Sequence, residues 1–273
     1  MSETFIATKD RTGENFPVGS ILIDRRLRPH VHALYAFARH GDDIADNSAL
    51  HQDNKLARLN VMESVLLGHI DAGSDTAVAL RDSLHATGVT PRHAQDLLAA
   101  FRQDVTQSRY GSWDALLDYC RLSAMPVGRH VLDLHGEDPA THAPSDPLCA
   151  ALQVLNHLQD GTKDLVALGR CYLPADLLAG AGADVPDLLA PVGSPGLRRV
   201  WDLLLDRVDD LHAAAAALPR TVRSRRLRLE VGVILGLSHR LAARLRRQDP
   251  VAGRVKLRPA DVVGAVLGAA RFV

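Results

Sequence analysis

The chain has 273 residues, 47% apolar and 23% charged, with 32 basic side chains matched by 32 acidic ones, so it can bury a substantial core and is expected to form one domain over 1–273. Its start, MSETFIATKD, carries charges where a secretory signal needs an apolar stretch, and no run approaches the roughly 18 uncharged apolar residues of a membrane span, so a cytoplasmic protein is expected. The balance hides a segment, 220–258, in which 12 Arg or Lys face only Glu230 and Asp249; without interleaved aromatics it does not indicate nucleic acid, and two readings stay open, a solvated arginine-rich helix face or a surface for an anionic membrane or a phosphorylated ligand.

In chain order, apolar residues recur at helical spacing in the segment that ends ALYAFARHGDDIADN, then in LARLNVMESVLLGHI, AQDLLAAFRQDV, WDALLDYCRL, ALQVLNHLQD and RRVWDLLLDRVDDLHAAAAAL. β-Branched alternation is scarce, which predicts an all-α chain. Gly and Pro clusters mark breaks at ATGVTPR, LGRCYLPAD, APVGSPG and RQDPVAGRV, and the longest, from about His135 to Pro147, is read as a loop between two helical halves. Pro126 and Gly128 fall inside an otherwise helical stretch near Tyr119 and predict a kinked or loosened helix. Cys120, Cys149 and Cys171, odd in number and far apart, read as buried free thiols rather than a disulfide framework or zinc site.

Two helices carry polar stripes. With the first starting near Pro29, Tyr35, Arg39, Asp42 and Asp46 fall at i, i+4, i+7 and i+11, inside an arc of about 60°. Asp43 lies about 100° round the helix from Asp42 and reads as a neighbour that strengthens the negative field. In ALQVLNHLQDGTKDLVALGRCYLP, Gln153, Asn156, Asp160 and Asp164 fall at i, i+3, i+7 and i+11, an arc of about 80°. A single D-x-x-x-D is most often a solvated acidic face, but two such stripes in one chain would repel unless cations sat between them. Carboxylates one turn apart offer the all-oxygen ligands that Mg²⁺ prefers, and Arg39 points the same way as a group to grip an anion. The pattern therefore suggests a Mg²⁺-bridged anion site.

The stretches LYAFARHGDDIAD, YCRLSAMPVGRHVLDLHG and ALQVLNHLQDGTKDLVALGRCYLP resemble the squalene and phytoene synthases of the all-helical isoprenoid synthase fold. The likeness covers most of the chain from ENFPVGS onward, and ENFPVGSILIDRRLRPHVHALYAFAR, FRQDVTQSRY and LQVLNHLQD are most similar to the bacterial hydroxysqualene synthases of hopanoid pathways. The resemblance implies a helical bundle around a central apolar cavity. It implies Asp42, Asp46, Asp160 and Asp164 as holders of several Mg²⁺ ions, Tyr119 near the reacting carbons, Tyr35 as a catalytic tyrosine on the first helix, Tyr172 with Arg170 in a signature that helps close the site, and Arg39, Gln153, Asn156 and Arg170 on the substrate. Lys163 stands inside the second motif, where the wider family often has small or acidic residues, and is either a further diphosphate contact or a surface lysine. Phe16, Phe37, Tyr35 and Tyr119 are the few aromatics available to face a carbocation.

The implied reaction converts presqualene diphosphate to hydroxysqualene without NADPH. Its runner-up is head-to-head condensation of two prenyl diphosphates, and the alternative of another class is a non-catalytic helical scaffold. Peripheral contact with a membrane and with other hopanoid-pathway enzymes fits a hydrocarbon product. His32 and His157 read as structural histidines rather than bases, since neither has an identifiable orienting partner.

Overall fold

A computed structural model describes residues 22–272, so Phe16 and the ENFPVGS stretch lie outside the described residues. The described chain is all helical, apart from one isolated bridge between Arg109 and Cys171. The helices are α1 (Arg28–Asp46), α2 (Gln52–Leu66), α3 (Asp75–Thr87), α4 (Arg92–Thr106), α5 (Trp113–Ser123), α6 (Met125–Leu134), α7 (His142–Leu168), α8 (Ala175–Gly180), α9 (Pro195–Ala215), α10 (Leu218–Thr221), α11 (Arg225–Leu245) and α12 (Pro259–Ala269). Serine side chains cap α3, α5, α9 and α11, each accepting a backbone N–H from the first turn.

Two apolar clusters dominate. One gathers α1 to α4 around Phe37, Leu59, Leu80 and Leu98, and the other surrounds α7 with α5, α9 and the end of α11 around Leu155, Leu158, Leu197 and Leu205. Phe37 is fully buried and belongs to the first cluster. All three cysteines are free, and burial pushes the Cys120 thiol up to about 12 and that of Cys149 to about 11.

Two breaks differ from the sequence expectation. The expected loop to Pro147 is shorter, because α7 already begins at His142 and carries Pro147 inside it. The proline's missing N–H costs only the bond to the carbonyl of Ala143, an exposed residue near the helix start. Pro126 does not kink a helix either: the chain breaks at Ala124, with φ −124° and ψ −48°, and Pro126 enters the first turn of α6, where no N–H is needed. Gly128 serves packing, since a Cβ there would lie 2.5 Å from Cys149 Sγ and 2.7 Å from Ser145 Oγ on α7.

Gly41 does the same for α1, where a Cβ would lie 2.5 Å from the ring of Phe101 on α4. Gly41→Ala is therefore expected to overpack this crossing and cost about 1–3 kcal/mol. Urea denaturation measures that loss, and unchanged stability would mean that the Phe101 ring yields freely.

Candidate active site

The acidic end of α1 is already neutralised by guanidinium groups. Arg39 donates to Asp42 Oδ2 at 2.8 Å and to Asp43 Oδ1 at 3.3 Å. Asp46, one turn on, accepts from Arg170 Nη1 at 2.6 Å, while the same guanidinium reaches Ala45 O at 3.3 Å and Asp104 O at 3.1 Å. Arg170 is buried, and although burial opposes its charge, Asp104, Tyr172 and Asp46 hold its pKa above the ordinary arginine value.

The placement of Arg170 follows from the end of α7. Gly169 adopts φ 67°, and the next N–H, that of Arg170, bonds back to Asp164 O at 3.3 Å. One residue thus holds Asp164 through its backbone and Asp46 through its side chain, joining the last aspartates of the two motifs. Upstream on α7, Asp160 pairs with Arg254, Nε to Oδ1 at 2.8 Å and Nη2 to Oδ2 at 3.2 Å. Arg254 lies in the loop between α11 and α12, and buried Gln159 pins that loop by donating to Val255 O at 2.5 Å. Gln153, Asn156 and Asp164 are half-buried on α7, Tyr35 is half-buried on α1, and Lys163 is exposed.

A residue not singled out from the sequence organises the floor. Asp104 on α4 is 8% exposed and accepts from Tyr119 at 2.8 Å on one oxygen and from Tyr172 at 3.0 Å on the other. Burial raises its pKa to about 6, against the lowering effects of Arg170 and both tyrosine hydroxyls. The Tyr110 ring packs 5.3 Å from Tyr119 and 5.5 Å from Tyr172. His157 stacks on Tyr172 with centroids 3.7 Å apart, and burial lowers its pKa to about 3, so it is a neutral ring at physiological pH. Burial also drives the three tyrosine pKa values far above the ordinary phenol, keeping each hydroxyl protonated. One signal for Asp104 was present: it falls at i+7 and i+3 from Leu97 and Phe101 on the apolar side of its own helix, where a carboxylate needs partners. Arg254 had no local signal, being one arginine among many.

The donor set fits a hard divalent cation. Every candidate ligand is a carboxylate oxygen, half-buried and set one turn from its mate. Among the described residues no three His, Cys, Asp or Glu groups converge on one point. An ion here would therefore be held by one or two carboxylates and complete its shell with water and substrate oxygens, as Mg²⁺ does.

The sequence profile of the squalene/phytoene synthase family matches residues 9–261. A hydroxysqualene synthase of Rhodopseudomonas palustris is 46% identical over 96% of this chain and 89% of its own length, and one of Sinorhizobium fredii is 45% identical over 94% and 87%. The crystal structure of squalene synthase HpnC from Alicyclobacillus acidocaldarius superposes with a TM-score of 0.77 at 33% identity, covering 90% of this chain and 92% of that one.

The buried carboxyl of Asp104 makes stability depend on pH. A raised pKa means that the folded state binds the proton more tightly than the unfolded state, so this stabilisation is lost as pH rises through the window from about 4 to about 6. Asp104→Asn is therefore expected to gain on the wild type across that window by on the order of 2 kcal/mol, measured by denaturant titration at each pH. A pH-independent difference between the two would overturn the assignment.

Proposed function

The chain belongs to the squalene/phytoene synthase family, and on that footing we propose that this enzyme converts presqualene diphosphate to hydroxysqualene and diphosphate. Near-full-length similarity to hydroxysqualene synthases carries the choice of reaction. In this reading the C–O bond of the substrate breaks, diphosphate leaves with the electron pair, the cation rearranges, and a water oxygen adds with loss of a proton. No hydride is consumed, so no NADPH is required.

Asp42, Asp46, Asp160 and Asp164 hold Mg²⁺ in this proposal, and the bound ions supply neutralisation of the departing diphosphate. Arg39 binds the leaving group. Arg170 acts through Asp46, which it fixes in place. Arg254 on Asp160 opens a second route for a guanidinium to reach the diphosphate, because any ligand that takes a share of Asp160 releases it. Tyr119 and Tyr172, locked by Asp104, set fixed dipoles beside the reacting carbons, and their packed rings with Tyr110 and His157 keep water off the cation. Tyr35 is a further proposed catalytic group, and Gln153, Asn156, Lys163 and Phe16 are the remaining proposed substrate contacts.

Family membership makes the chain an enzyme and sets aside the non-catalytic scaffold. The second reading, condensation of two prenyl diphosphates, would use the same aspartates. Both readings place the product in lipid, consistent with peripheral membrane contact and with neighbouring hopanoid-pathway enzymes as partners.

Presqualene diphosphate and farnesyl diphosphate, supplied separately with Mg²⁺ and without NADPH, are expected to give hydroxysqualene from the first and nothing from the second. A condensation product from farnesyl diphosphate would overturn the proposed reaction. Asp42→Asn and Asp160→Asn are each expected to lower turnover roughly 100-fold or more at unchanged helicity by circular dichroism. Full activity in either variant would remove that aspartate from the site.

A further inference from the structure

The last helix presents a surface that the reaction does not use. Residues 262–270 of the chain, VVGAVLGAA, contain no polar side chain. Their inner side packs antiparallel on α11 through small residues: a Cβ at Gly236 would lie 3.2 Å from that of Ala265, and one at Gly232 would lie 3.1 Å from that of Ala269. Arg244 Nε bonds Asp261 Oδ2 at 2.7 Å and fastens the start of α12. The outer side is open, with Val262, Val263, Val266 and Leu267 exposed by 45%, 59%, 45% and 71%. Together they fill an arc of about 140° over less than two turns. A solvent-facing helix normally carries polar residues on that side, and a contiguous apolar patch marks a contact surface.

Charge identifies what covers it. A cavity of about 340 Å³ between α11 and the start of α12 is lined by Arg240, Arg244, Arg247 and Arg258, with Gln248 and Asp261. The Arg240 guanidinium lies against Gly264, on the flank of the apolar arc. At the far end Arg271 and Arg220 stand 4.9 Å and 5.9 Å from the Phe272 ring. Arg240, Arg247 and Arg258 form no ion pair among the described residues, so their charge is available to an incoming anion. A second copy of the chain would bring its own arginines to the same rim, and such like-charge contact is costly. An anionic bilayer meets both demands, because valine and leucine enter the acyl boundary while arginines take lipid phosphates.

We propose that α12 lies flat on an anionic phospholipid bilayer, with Val262, Val263, Val266 and Leu267 inserted and the arginine-lined cavity holding a lipid phosphate. The surface is one loop away from chemistry, because residues 254–258 lead directly from Arg254 on Asp160 to Pro259. A hydrophobic product formed there has a short way to lipid.

Vesicle flotation of the full chain tests this, using phosphatidylcholine alone and phosphatidylcholine mixed with phosphatidylglycerol. The protein is expected to float with the mixed vesicles only and to be released by salt. Arg240→Gln combined with Arg247→Gln is expected to lower the partition coefficient roughly 30-fold. Val263→Glu combined with Leu267→Glu is expected to abolish flotation while leaving helicity and turnover of detergent-dispersed substrate unchanged. Equal flotation of wild type and both variants, or no flotation of the wild type, would overturn the proposal. A wild-type dimer in analytical ultracentrifugation that the glutamate variant converts to monomer would assign the face to a second copy instead.

Discussion

Arg170 is the constraint on which the site depends. Its guanidinium is buried against Asp46, Ala45 and the backbone of Asp104, and its own N–H closes the end of α7 at Asp164. Three helices from two apolar clusters are registered by this one residue, α1 and α4 through its side chain and α7 through its backbone. A guanidinium suits the task because its donors are fixed in a plane and it does not lose its proton on burial. Leaving the buried Arg170 guanidinium without its half-buried Asp46 partner would cost more than the pair itself contributes, which favours the observed register over neighbouring ones.

The Asp104 nest extends the same logic. Arg170 takes only the backbone carbonyl of Asp104, which leaves the carboxylate with idle lone pairs, and Tyr119 and Tyr172 fill them, one per oxygen. The hydroxyls are thereby held in direction, and Tyr172 stacks between Tyr110 and His157 while the Tyr119 ring packs tilted against them. With aromatics at only 4% of the chain, placing three of its four tyrosines around one acid is a concentration of scarce rigid surface. The site is polar at its centre and aromatic around it.

Much of this was legible beforehand, for identifiable reasons. The α1 stripe begins where Pro29 said it would, and the helical class followed from alanine- and leucine-rich periodicity. Spacing placed Asp42 with Asp46 and Asp160 with Asp164 because helix pitch is local information. What it could not supply was the partner of each acid: Arg254 and Arg170 stand 94 and 124 residues from the aspartates they meet. Asp104 was hidden for a different reason, since its meaning lies in two hydroxyls from other elements. Pro126 and Pro147 were read too strictly as breakers, when each sits close enough to a helix start for the lost N–H to matter little.

The sulfur chemistry of the fold has a practical side. Cys120 and Cys171 are buried, and burial holds all three thiols protonated well above neutrality, so none offers a thiolate to an alkylating reagent. A cysteine introduced on an exposed position would then be the one nucleophile that a maleimide dye finds. Fluorescent labelling at a chosen spot is open to this protein without first stripping out its native sulfur.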